Sequence, residues 1–174
     1  MKRLILAGLA LGCAAKEAKV MPVEERPLAE RFRLEKAEKT LGNGLRVIAV
    51  KKGKLPIFQV QVRLFAGSVL DPEGKEGLAS LTQAMLEAGA GKRTRDQIAE
   101  AIEGMGAQLR LSTGRTEVIL SARSLTQDAE SLLAVVSDVL TRPTFPEKEF
   151  SKEKERQISG LLSARSDPNT VVGW

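Results

Sequence analysis

A change of hydrophobic period constrains this chain most. Phe58, Val60, Val62 and Leu64 alternate with Gln59, Gln61 and Arg63. Successive side chains of an extended chain point to opposite sides, so this alternation marks a strand with one buried face. From Gly77 onward the spacing changes. Leu78, Leu81 and Met85 fall three and four residues apart, the spacing of one helix face. A chain that makes this switch repeatedly has to lay helices against a sheet.

The switch recurs along the sequence. Asn43-Gly44 is a hairpin signal, and residues 46–51 after it read as a strand. Gly89 and Gly91 are expected to end the first helix. Thr94 is expected to cap the second, whose apolar stripe is Ile98, Ala101, Ile102 and Met105, stopped by Gly104 and Gly106. Residues 108–112 and 117–123 read as two more strands. Thr126 is then expected to cap a helix that buries Leu132, Val136, Val139 and Leu140 and breaks at Pro143 and Pro146. A last long helix is expected over 147–163, with Phe150, Ile158, Leu161 and Leu162 as its inner stripe. The expected class is α+β, a largely antiparallel sheet with helices packed on one face.

Composition narrows the chemistry more than the fold. Apolar residues make up 43% of the 174 and aromatics only 3%, so the core must be aliphatic. The 27 Lys and Arg are interleaved with 22 Asp and Glu, which argues against a dedicated nucleic-acid face. There is no histidine. That removes the commonest metal ligand and the commonest neutral-pH base. Cys13 is the one cysteine, so neither an intrachain disulfide nor a cysteine-based zinc site can form.

The start of the chain reads as an address. Lys2 and Arg3 precede an apolar run over 4–12, then Cys13-Ala14-Ala15, and charge returns at Lys16. Basic, apolar and small residues in that order form a secretory signal, and the run is too short to span a bilayer. Cys13 after Leu11-Gly12 resembles a bacterial lipobox, with Ala10 where Leu is preferred. Lipidation of Cys13 is one outcome, and ordinary cleavage near Ala14 or Ala15 is the other. The expected division is a signal peptide over 1–15, a charged tether over 16–36 carrying Pro22 and Pro27, and a folded domain over 37–174.

Several short segments, in order, are similar to the first domain of M16 peptidases, the insulinase, pitrilysin and mitochondrial processing peptidase family. Residues 41–47 (LGNGLRV) resemble its opening hairpin and Phe65-Ala66-Gly67-Ser68 the end of its second strand. Residues 74–79 (GKEGLA) resemble the approach to its zinc-binding helix. Arg142-Pro143-Thr144-Phe145 with Glu149-Phe150 resembles the connection to its last helix, and Asp167-Pro168 that helix's end. A family domain continues further, so the resemblance implies a partial domain over 37–174.

In catalytic members that helix carries H-x-x-E-H. Two imidazoles four residues apart grip one zinc ion, and the glutamate beside them takes a proton from bound water. A later helix supplies a glutamate as third ligand. The resemblance puts the first histidine on Ser80, the glutamate on Gln83 and the second histidine on Ala84, and no glutamate occurs between Arg156 and Trp174. It therefore implies no catalytic residues, no metal and no cofactor. These three positions either are plain helix residues or line a cleft that still holds an extended peptide as an added strand. The family's peptide-binding edge would lie near residues 108–115. There Arg110 and Arg115, with Arg123, are candidates for peptide contact or simply solvated charges.

The implied function is an inactive partner subunit of a zinc-carrying M16 homologue, acting on peptides at the cell envelope, exported to the periplasm or held there as a lipoprotein. A stand-alone envelope peptide-binding or scaffold protein is the alternative. A residual hydrolase finds little support: Asp96, Glu100 and Glu103 sit at an ordinary exposed helix and form no paired acid-base site.

Overall fold

The computed structural model describes residues 35–165. The expectations for residues 1–15, Cys13, most of the tether and Asp167-Pro168 lie outside the described residues. The described residues fall into two units, divided between Gly53 and Lys54.

The described part of the first unit is a two-stranded ribbon. Strand β1 (Glu35–Thr40) pairs antiparallel with β2 (Arg46–Lys51), with Glu35 opposite Lys51 and Thr40 opposite Arg46. The turn works as its sequence dictates. Gly44 takes φ +83°, and the Asn43 side-chain oxygen accepts the Leu45 N–H at 3.1 Å. β1 begins at Glu35, inside the stretch read as a tether.

The second unit is a helix layer on an antiparallel sheet. In chain order it contains β3 (Ile57–Leu64), α1 (Leu78–Leu86), β4 (Gly89–Ala90), β5 (Arg93–Thr94), α2 (Arg95–Gly104), β6 (Gln108–Thr113), β7 (Val118–Leu125), α3 (Ala129–Thr141) and α4 (Glu147–Arg165). The sheet order is β3-β7-β6, with both pairings antiparallel. The central strand turns Val118, Leu120, Ala122 and Ser124 inward and all four are buried. The buried Ser124 hydroxyl donates to the Leu125 carbonyl at 2.9 Å, so it carries no unmet bond. Against this face pack Ile98 and Ile102 of α2 and Leu132, Val135, Val136 and Val139 of α3. The core is aliphatic, as the composition requires.

Thr94 caps α2 as expected. Its hydroxyl accepts from the Gln97 N–H while the Gln97 side chain accepts from the Thr94 N–H.

Other expectations need correction. Thr126 does not cap α3. It opens a 3₁₀ turn (Thr126–Asp128), its N–H donates to the Pro56 carbonyl at 2.9 Å, and the helix starts at Ala129. Val135 is buried there, and Leu140 only half-buried. Leu78 of α1 is 43% exposed.

The stripe expected on α4 points elsewhere: Ile158, Leu161 and Leu162 are exposed. The inward side of α4 carries Phe150, Glu153 and Gln157, and Glu153 is the buried one. A buried carboxylate is tolerable because Arg156 and Gln157 bind it. Gly89 and Gly91 do more than end α1. They build the β4–β5 ribbon, with Gly91 at φ +60°, and that ribbon bonds the chain after α3 through Gly91 N–H to Arg142 C=O and Thr144 N–H to Gly89 C=O.

Candidate functional site

Helix α1 is set in place by the loop ahead of it. Gly77 takes φ +97°, a left-handed conformation that glycine adopts without strain. Gly77 offers no side chain to cap the helix. Asp71, six residues earlier, supplies the cap instead. Its carboxylate accepts the Gly77 and Ala79 N–H groups, each at 2.8 Å. An anion at a helix N-terminus satisfies orphan donors and complements the dipole. At the other end Met85 is fully buried. The helix packs against β6 and α4.

Ser80, Gln83 and Ala84 follow directly from this clip. Ser80 is exposed, while Gln83 and Ala84 are half-buried. Ser80 and Ala84 share one helix face, and Gln83 lies beside them. Thr113, the last residue of β6, donates its hydroxyl to Gln83 Oε1 at 3.4 Å. The helix is thereby joined to the end of an edge strand.

Beyond Thr113 the chain turns through Gly114–Glu117 into β7, and the segment after β3 clamps that turn. Gly67, Ser68 and Val69 donate backbone N–H groups to Thr116, Gly114 and Arg115 carbonyls at 3.3, 3.1 and 2.9 Å. A Cβ on Gly67 would stand 2.5 Å from the Arg115 backbone carbonyl and the Glu117 nitrogen. Glycine is required by this close approach.

The structure sorts the candidate arginines. Arg115 lies in the clamped turn, next to the Thr113–Gln83 contact, with its side chain exposed. Arg110 does not share that side. It belongs with Gln108 and Ser112 on the exposed face of β6, whereas Leu109, Leu111 and Thr113 face the helices. Arg123 of β7 lies on the same exposed face as Arg110.

Sequence reasoning missed a charged seam between the start of α2 and α4. Arg95 binds Glu149 at 3.1 Å, joining the start of α2 to α4. The Arg156 guanidinium beside Glu153 holds that carboxyl below the ordinary glutamate range, with help from Gln157 and against burial. Glu149 is lowered chiefly by the Lys152 ammonium. Burial pushes Glu87 up, and Arg95 partly opposes it. These groups come from separate elements, and charge patterning along the sequence does not show that they meet. Among the described residues, no three of His, Cys, Asp and Glu gather as a metal-binding group.

Residues 46–171 match Insulinase (Peptidase family M16). The chain belongs to peptidase family M16. Among M16 relatives, an uncharacterised zinc protease of Rickettsia bellii is 26% identical over 145 residues, 83% of this chain and 34% of its own length. Subunit 1 of the mitochondrial cytochrome b-c1 complex of Caenorhabditis elegans is 29% identical over 133 residues, 76% of this chain and 28% of its own. The crystal structure of a peptidase M16 inactive domain from Pseudomonas fluorescens superposes with a TM-score of 0.76 at 27% identity, covering 80% of this chain and 34% of that one. The chain thus spans about a third of the length of these relatives. The α+β class with antiparallel pairing is the M16 fold.

Catalytic M16 enzymes imply a zinc ion, and the side chains at this stretch of α1 do not fit one. They offer a hydroxyl, a neutral amide and a methyl group. None is a strong zinc donor at neutral pH, and Gln83 cannot accept a proton from water.

Proposed function

We propose that this M16 domain is non-catalytic and serves as the inactive partner of a zinc-carrying M16 homologue that acts on peptides. One observation carries the reading. The helix positions that would hold the zinc motif carry Ser80, Gln83 and Ala84, in a sequence without a single histidine. The amide of Gln83 keeps the shape of a glutamate but not its basicity, and it is occupied by Thr113. The similarity to a Pseudomonas domain described as inactive supports the same reading. So do relatives named as subunits, among them the beta subunit of the mitochondrial processing peptidase of Neurospora crassa, 28% identical over 116 residues.

The basic, apolar and small order over 1–15 supports export, with Cys13 as a lipid anchor at the cell envelope. A stand-alone peptide-binding protein is the second reading. It is favoured by the outer position of β6, an edge on which an extended peptide can add as a strand.

The test is capture from the source cells. The chain is tagged at its C-terminus, purified gently from the membrane fraction, and its companions are identified by mass spectrometry. A near-stoichiometric homologue with an intact H-x-x-E-H is the expected result. A chain that comes alone, and binds peptide whether or not a chelator is present, moves the reading to the stand-alone protein.

A further inference from the structure

On the side of the β3–β7–β6 sheet away from the helices, Gln59, Gln61, Gln108, Arg110 and Arg123 are exposed among the described residues. The register fixes its side chains in rows across the strands. One row is Gln59, Arg123 and Gln108, and the next is Gln61, Ser121 and Arg110. A depression of about 330 Å³ lies among Gln59, Gln108, Arg110, Ser121 and Arg123.

These two rows hold amides, a hydroxyl and guanidinium groups, and no carboxylate. The nearby Glu117 is already bound to Arg63 at 3.4 Å. Arg110 and Arg123 have no ion-pair partner among the described residues. A guanidinium presents a planar fork of donors that matches a carboxylate. An unopposed pair of such groups is complementary to acidic side chains.

Spacing defines the occupant further. Arg110 lies opposite Ser121, two residues from Arg123 on β7. Such diagonal neighbours stand about 7–8 Å apart. In an extended chain, side chains on one face repeat every second residue, about 7 Å. We propose that this sheet face binds acidic segments of extended peptides, with Arg110 and Arg123 holding carboxylates two residues apart. A nucleic acid fits less well. Single strands bind on aromatic platforms, and these rows contain no aromatic side chain.

This deepens the peptide-binding part of the reading above and rests on it. It is tested without any partner subunit, so loss of partner capture and loss of acidic-peptide binding are separate results. Fluorescence anisotropy of the full chain is measured with a fluorescein-labelled Glu-Ser repeat peptide, its Gln-Ser counterpart and oligo-dT. The wild-type chain should bind the Glu-Ser peptide, more weakly as salt rises, and not the Gln-Ser peptide. The double substitution Arg110→Gln, Arg123→Gln should weaken that binding about tenfold or more. Lys148→Gln, at the start of α4, should leave it within about twofold. Each single arginine variant is also measured, with circular dichroism as the check on folding.

Equal binding of the Glu and Gln peptides overturns the proposal, and so does full retention by a folded double variant. Tighter, Arg110- and Arg123-dependent binding of oligo-dT assigns the face to nucleic acid and overturns it too. A sedimentation mass that falls in the double variant while peptide binding persists assigns the face to a second copy of the chain, with the same consequence.

Discussion

Thr113 at the end of β6 donates its hydroxyl to Gln83 on α1 at 3.4 Å. The contact ties α1 to β6, the outer strand of the sheet among the described residues. It is long for a hydrogen bond, so its net contribution is small. Thr113→Val is expected to cost about 0.5–1 kcal/mol in urea unfolding. A cost of several kcal/mol would mean that this joint holds more of the fold than its geometry allows.

Restoring the motif tests the reading of α1 directly. Ser80→His, Gln83→Glu and Ala84→His together place two imidazoles four residues apart on an ordered helix. The triple variant supplies two imidazoles but not the third, glutamate ligand, so it should take up zinc weakly yet measurably more than the wild-type chain in an equilibrium-dialysis and metal-analysis assay. Equal uptake by both would sink the assignment of these positions as a lost site.

The Asp71 clip should be worth more than the Thr113 contact. Its carboxylate accepts two backbone N–H groups at 2.8 Å. Asp71→Ala is expected to cost about 1–2 kcal/mol. The loss should show as earlier hydrogen exchange in residues 77–82 than in α3.

Gly67→Ala forces a Cβ against the backbone of Arg115 and Glu117. Because backbone atoms cannot swing aside, the β6–β7 turn must shift. A cost of about 1–3 kcal/mol is expected from thermal unfolding, against near neutrality for Gly104→Ala, where the added atom meets open space.

The charged seam gives a pH signature. Glu153 has its carboxyl lowered in the folded chain, chiefly by Arg156. A group held below its unfolded value contributes stability at neutral pH, and that contribution fades as pH falls from about 4.3, the ordinary glutamate value, through the folded one. Glu87, raised by burial, acts with the opposite sign and is slightly relieved in acid. Glu153→Gln should therefore be less stable than wild type at neutral pH, with the gap narrowing in acid. A gap that is constant with pH would assign Glu153 a packing role only.

The sequence could be read wherever local pattern and final environment agree. The alternation over 57–64, the Asn43-Gly44 turn and the Thr94–Gln97 cap depend on neighbours a few residues away, and each forms as read. The β4–β5 ribbon was not legible. Its two-residue strands carry no period, and their partners include Pro143 and Thr144, far along the chain. The face of α4 was misread for a related reason. An apolar stripe marks the inner side only when polar residues face water, and here Glu153 is buried with its own cation. The candidate positions on α1 come from the family resemblance alone; no local pattern in the sequence marks Ser80, Gln83 or Ala84. That Arg110 sits across the sheet from them, beside Arg123, follows only from the strand register.

The Asp71 clip lies wholly outside the residues that would carry chemistry. Gly77, Ala79 and Met85 position α1, and none of them is Ser80, Gln83 or Ala84. The helix therefore owes its orientation to a loop rather than to a metal. The residues at those three positions can therefore vary without the scaffold collapsing around them. The same independence runs in reverse, so side chains can be exchanged at those three positions without giving up the helix, for as long as the loop is kept.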